Sequence, residues 1–122
     1  MSAHVLLIED EPNIAEAIRF LLLRDGWQVT VLSTGQGAMH EIQSHGPDLV
    51  ILDLMLPGQS GLDILREVRA SANFATLPVL MLTAKGQDRD REAALAAGVS
   101  DFMTKPFDNG QMRAAVRALL GG

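Results

Sequence analysis

At four places the sequence puts a reactive polar group straight after a short apolar run. HVLLI is followed by Glu9, Asp10 and Glu11, LVIL by Asp53, VLML by Thr83, and DFMT by Lys105 with Pro106 next. Carboxylates in such a set can ligate a hard cation, and a free carboxylate oxygen can attack an electrophilic phosphorus. An ammonium and a hydroxyl can hold the oxygens of a phosphoryl group during transfer. Three clustered acids against one ammonium also repel one another, which raises a carboxyl pKa unless a cation offsets it. The all-oxygen ligand set favours Mg²⁺; with it, the charges of Glu9, Asp10, Asp53, Lys105 and the ion sum to about zero. The chemistry this set suits is an aspartyl phosphate on Asp53, with Lys105 and Thr83 holding the transferred oxygens.

Such a set needs a scaffold that brings distant residues to one edge. The apolar runs His4–Ile8, Leu49–Leu52, Leu77–Leu82 and Asp101–Thr104 read as strands, and continuous apolar runs mark parallel strands covered on both faces. Gln28–Leu32 alternates more and reads as an edge strand. Ile14, Ala17, Ile18, Leu21 and Leu22 follow the spacing of one helix face, with Pro12 suited to its first turn and Gly26 to its end. Gly35–Ser44 reads as a weaker helix, Leu62, Leu65 and Val68 mark a third, and Asp88–Ala97 is an Ala-rich fourth closed by Gly98. Met112, Ala115, Val116, Leu119 and Leu120 repeat the first helix's spacing. Strand and helix alternate five times, which implies an α/β sandwich: a doubly wound parallel sheet of the flavodoxin-like kind, in the order 2-1-3-4-5, with five helices. In that order strands 1 and 3 are neighbours, and the carboxyl ends of the strands form the binding edge. Glu9, Asp10, Asp53, Thr83 and Lys105 then converge, with Asp53 held rigid, half-exposed and acidic at the rim.

Bulk properties exclude several classes. The 122 residues suffice for one domain, 1–122, with no output domain in the chain. Composition is that of an ordinary soluble protein, 48% hydrophobic and 20% charged, and no apolar run reaches the length of a membrane span. The N-terminus lacks a signal peptide's basic region, and there is no cysteine, which fits a reducing, cytoplasmic setting. A net charge of −5 without a basic patch speaks against direct nucleic-acid binding.

Each site residue has a plainer reading. Glu9-Asp10-Glu11 alone would be a solvated helix start, Thr83 a turn hydroxyl, Lys105 a surface lysine and Phe102 core. His4, His40 and His45 lack metal-ligand spacing and are assigned no role, and the six methionines read as filler.

Taken together, Glu9-Asp10, Asp53 with LMLPGQSG after it, Thr83-Ala84 and Lys105-Pro106-Phe107 resemble the motif set of bacterial response-regulator receiver domains. The resemblance runs from His4 to about Leu120. It implies that Asp53 is the phosphoacceptor and that Glu9 and Asp10 are Mg²⁺ acids, with Asp53 and the Met55 backbone carbonyl completing the protein ligands. It implies that Lys105 binds phosphate, that the Lys105–Pro106 bond is cis, and that Thr83 and Phe102 are switch residues. Phe102 stands where many members have Tyr; lacking the hydroxyl, it is expected to favour the inward rotamer. Met55 and Lys85, two residues after Asp53 and Thr83, flank the family's water path and are expected to slow dephosphorylation.

The implied function is a signalling switch rather than an enzyme. It would take a phosphoryl group from a histidine kinase or phosphotransfer protein and alter affinity for an effector or output domain through the helix 4–strand 5–helix 5 face. Members with winged-helix outputs carry charged pairs there for symmetric dimers; Gln111 replaces an acid of that set and Ala115 a base, while Asp101 remains, with Arg113 or Arg117 as candidate partners. That type of dimer is disfavoured; other phosphorylation-dependent dimers stay open. The strand right after Met1 suggests nothing is missing at the front, and the end at Gly122 fits either a single-domain regulator or a trimmed receiver. One rival is a small Mg²⁺-dependent phosphatase with an aspartyl nucleophile, but Met55 stands where a second acid would be needed and no cap segment exists. The other is a nucleotide or flavin module, whose Gly-rich first loop is here Glu-Asp-Glu-Pro-Asn.

Overall fold

The computed structural model describes residues 3–84 and 88–121. Strand and helix alternate: β1 (His4–Ile8), α1 (Pro12–Arg24), β2 (Gln28–Leu32), α2 (Ala38–His45), β3 (Leu49–Asp53), α3 (Gly61–Ala70), β4 (Val79–Ala84), α4 (Asp88–Ala96), β5 (Asp101–Lys105) and α5 (Asn109–Leu119). The sheet has the order β2-β1-β3-β4-β5, and every pairing is parallel. β3 is central and buried along its whole length, whereas β2 and β5 form the edges. This is the doubly wound α/β fold that the alternating runs imply.

Side chains on a strand alternate between faces, so each strand feeds two apolar layers. Leu6, Ile8, Val50, Leu52, Val79 and Met81 pack with Ile42, Ile64, Leu65 and Val68 on the α2–α3–α4 side. Val5, Leu7, Leu49, Ile51, Leu80 and Leu82 pack with Ile18, Leu22, Met112 and Val116 under α1 and α5. Burying a Leu or Ile side chain is worth about 1.5–3 kcal/mol. A one-residue slip of β3 would exchange its two sets of side chains and drive Asp53 inward, so both layers fix its register with β1 and β4.

Several boundaries differ from the sequence reading. β4 starts at Val79 and not Leu77, because Pro78 has no N–H for the ladder and the Leu77 amide turns back to Phe74. α2 starts at Ala38 and not Gly35: Gly37 is left-handed at φ 76°, and the Gly35 amide is spent on Pro57. β3 and β5 run one residue further, to Asp53 and Lys105, so both site residues are the last of their strands. α5 opens with a capping box between Asp108 and Gln111, which gives Gln111 a local structural role. Arg113 does not pair with Asp101; it grips Asp25 beyond the end of α1 in a two-pronged ion pair at 2.9 and 2.8 Å. Asp101 accepts from the Phe102 amide instead. Arg69 of α3 donates to the carbonyls of Leu77 and Gly98 and to the Ser100 hydroxyl, tying α3 to the segments that enter β4 and leave α4.

Candidate functional site

Three carboxylates meet at the carboxyl edge. One oxygen from each of Glu9, Asp10 and Asp53 lies within 4.8 Å of the others. β1 and β3 are direct neighbours, which brings two segments more than forty residues apart together. Glu9 and Asp53 are buried, at 1% and 5% exposure, and Asp10 faces solvent. The expectation of a half-exposed Asp53 is therefore corrected: the Lys105 side chain and the turn after β3 cover it.

Lys105 reaches back from β5 across β4. Its Nζ lies 2.7 Å from Glu9 Oε1, 3.0 Å from Asp53 Oδ2 and 4.0 Å from Glu11 Oε1. The other Asp53 oxygen, Oδ1, accepts from the Met55 amide at 3.2 Å. Glu9 Oε1 is buried and accepts no well-aligned hydrogen bond, so its contact with Lys105 is an ion pair with lone-pair capacity left over. Burial, reinforced by contact with Asp53, pushes the Glu9 carboxyl from 4.5 up to about 7. Burial also pulls the Lys105 ammonium down, but its close contacts with the Glu9 and Asp53 carboxylates outweigh it and the net shift is upward. The cluster thus holds a surplus of negative charge and resists full ionisation.

These residues fit Mg²⁺. The donors are all carboxylate oxygens, hard ligands without nitrogen or sulfur. One buried oxygen has unspent acceptor capacity, and three acids against one ammonium leave two negative charges for a divalent ion to balance.

The remaining residues fall as follows. Thr83 is fully buried, and its hydroxyl donates to the Met103 carbonyl at 3.5 Å rather than toward Asp53. Phe102 is partly exposed, and the Arg91 guanidinium of α4 lies 4.3 Å over its ring, a cation–π contact absent from the sequence reading. Met55 is 63% exposed beside Asp53. The Lys105–Pro106 bond is cis. Lys85 lies outside the described residues. His4 bonds Thr30 at 2.7 Å and stacks edge-on with His45, away from the acids.

Sequence reasoning missed Arg91, since nothing in its spacing names a ring on another element. It also missed the contact of the β2–α2 loop with the turn after β3, at which Gly35 and Gly58 were the available hint: glycines where two backbones approach closely.

The profile described as "Response regulator receiver domain" matches residues 5–117. The chain belongs to the response regulator receiver domain family. Relatives agree with this. Sensory transduction protein RegX3 of Mycolicibacterium smegmatis is 40% identical over 116 residues, 95% of this chain and 50% of RegX3. Transcriptional regulatory protein KdpE of Mycobacterium tuberculosis is 45% identical over 114 residues, 93% of this receiver and 49% of KdpE. The receiver thus spans about half the length of these curated relatives. Among solved structures, a putative response regulator from Chloroflexus aurantiacus superposes with a TM-score of 0.94 at 31% identity over 100% of both chains. The receiver domain of a sensor histidine kinase from Pseudomonas aeruginosa, solved with magnesium coordinated in the active-site cleft, gives 0.90 at 30% identity over 100% of both. Among the described residues no helix is long and apolar enough to cross a membrane.

Proposed function

We propose that this receiver is a phosphorylation-driven switch in which Asp53 accepts a phosphoryl group from a phosphohistidine of a histidine kinase or phosphotransfer protein. One observation carries the reading: the Asp53 carboxylate shares its edge with Glu9 and Asp10 and is contacted by Lys105 at 3.0 Å, within a chain of this family. A carboxylate oxygen of Asp53 forms the new O–P bond, the P–N bond of the phosphohistidine breaks, and the imidazole nitrogen leaves with the electron pair. Glu9, Asp10, Asp53 and the Met55 carbonyl would hold Mg²⁺, which neutralises charge on the phosphoryl oxygens when bound. Lys105 binds one of those oxygens in exchange for Asp53 Oδ2, and Thr83 turns its hydroxyl from Met103 toward the new anion. Phe102 follows inward as Thr83 vacates its place, which requires the ring to leave Arg91.

The readout is the face of α4, β5 and α5, where Arg91, Glu92, Leu95 and Phe102 line a shallow groove. The effector is an output domain or a separate protein. The relatives' names include a transcriptional regulator, but here Arg113 is engaged by Asp25 and Gln111 by Asp108, which argues against a symmetric dimer built on charged pairs. We read the chain as one domain over 1–122 that acts in the cytoplasm, where kinases of this class expose their phosphohistidine.

Incubation with a small phosphodonor and Mg²⁺ tests this. A phosphoryl mass gain on Asp53, absent in Asp53→Ala and without added Mg²⁺, is the expected result. Steady release of phosphate without accumulation would instead favour a phosphatase with an aspartyl nucleophile, and equal labelling of Asp53→Ala would overturn the assignment.

A further inference from the structure

Two loops at the site's edge are tied together by contacts the proposed chemistry does not use. In the β2–α2 loop, Thr34 donates its hydroxyl to the Pro57 carbonyl at 2.9 Å and accepts from the Gln36 amide at 3.2 Å. The Gly35 amide donates to the same Pro57 carbonyl at 3.0 Å. Gly35 is buried, and a Cβ on it would overlap the backbone carbonyl of Gln59; a Cβ on Gly58 would stand 2.8 Å from Thr34 Oγ1. Neither loop can be moved independently of the other.

The loop that receives this grip carries the amide that orients Asp53. Leu54 is fixed on one side, its amide on Leu82 at 2.9 Å and its carbonyl on Gly61 at 3.0 Å. Pro57 is fixed on the other by Thr34 and Gly35. Met55 lies between the two anchor points, and its N–H is bonded to Asp53 Oδ1 at 3.2 Å. Gln59 ties the far end of the turn to Glu67 of α3. Without the Pro57 anchor, the stretch between Leu54 and Gln59 would lose its bond to the neighbouring loop and the Met55 amide would be freer to swing.

We propose that Thr34 and Gly35 are positioning residues: a clamp that keeps the Met55 amide on Asp53, and thereby sets the aim of the acceptor carboxylate and its affinity for the divalent ion. The inference rests on the reading of Asp53 as a cation-binding phosphoacceptor and adds residues from an element that touches neither metal nor phosphate. Groups that orient a metal's ligands, though they do not bind it, change affinity by about tenfold or more when removed.

The test uses the full chain, with Mg²⁺ alone titrated by calorimetry and hydrogen exchange of the Met55 amide measured in metal-free protein. Thr34→Val keeps the side chain's shape and removes its donor. It should weaken Mg²⁺ binding about tenfold and speed exchange at Met55, while Thr34→Ser restores both. Gly35→Ala should act in the same direction through its overlap with Gln59. Val68→Ala, a core change in α3, serves as a control that lowers the melting temperature while Mg²⁺ affinity stays within about twofold of wild type. The clamp is overturned if Thr34→Val matches wild type in both readouts, or if Val68→Ala weakens Mg²⁺ as much at an equal loss of melting temperature. Should wild-type Asp53 take no phosphoryl group, the proposed function fails, while exchange at Met55 still decides the clamp.

Discussion

Asp53 has both carboxylate oxygens engaged, Oδ2 by Lys105 and Oδ1 by the Met55 amide. A side chain held at two points has little rotamer freedom to lose, which would lower the entropic cost of the proposed transfer. Met55 contributes its backbone to this and leaves its side chain free, 63% exposed at the mouth of the site. If Asp53 carries the proposed acyl phosphate, a bulky apolar group there would obstruct the line along which water reaches it, and Lys85 is proposed for the same role from its sequence position two residues after Thr83. Met55→Asn with Lys85→Glu should shorten the lifetime of phosphorylated Asp53 about threefold to tenfold, roughly 0.7–1.4 kcal/mol of barrier. Decay of the phosphorylated mass over time is the measurement, and an unchanged decay would remove both residues from the account.

Two arginines hold elements together, and their settings give them different weights. Arg69 donates to two backbone carbonyls and a hydroxyl, one of them, the Leu77 carbonyl, partly buried, and it joins α3 to the chain on both sides of α4. Removing it leaves the partly buried Leu77 carbonyl without its donor while water replaces the other two bonds, so Arg69→Ala should cost about 1–2 kcal/mol in urea unfolding. Arg113 joins α5 to the end of α1 through Asp25 and is itself 47% exposed. Arg113→Ala should cost less than Arg69→Ala, and salt should shrink the loss further. If Arg113→Ala proved the more damaging of the two, backbone satisfaction would not be what sets their order. Neither contact was legible in the sequence: each joins residues far apart in the chain, and an arginine's spacing does not name its acceptor.

For the whole molecule, the acidic edge makes stability depend on pH and metal together. The folded chain holds the Glu9 proton more tightly than the unfolded one, its pKa being raised from 4.5 to about 7 by burial and by Asp53. The stability this contributes is fully present below about pH 4.5 and is lost as pH rises through 7. Asp25 works in the opposite sense: Arg113 holds its pKa below 3.8, so its contribution is present above that pH and lost beneath it. Metal-free protein should therefore melt at a lower temperature at pH 8 than at pH 5.5, Glu9→Gln should flatten that slope, and Mg²⁺ should stabilise more at pH 8, where it does not compete with a proton. A melting temperature that is flat between these pH values would contradict the strained acidic cluster. The sequence by itself determined the alternation of strands and helices, the strand order and the acids, lysine and threonine at the strand ends, because apolar runs and helical spacing are local and the parallel fold then leaves one edge for polar groups. Only the tertiary structure decided how deeply Asp53 is covered, that Lys105 already spans Glu9 and Asp53, that Thr83 bonds Met103, and that Thr34 grips Pro57. Those are distances between side chains and loops far apart in the chain, fixed only when both apolar layers close on the sheet.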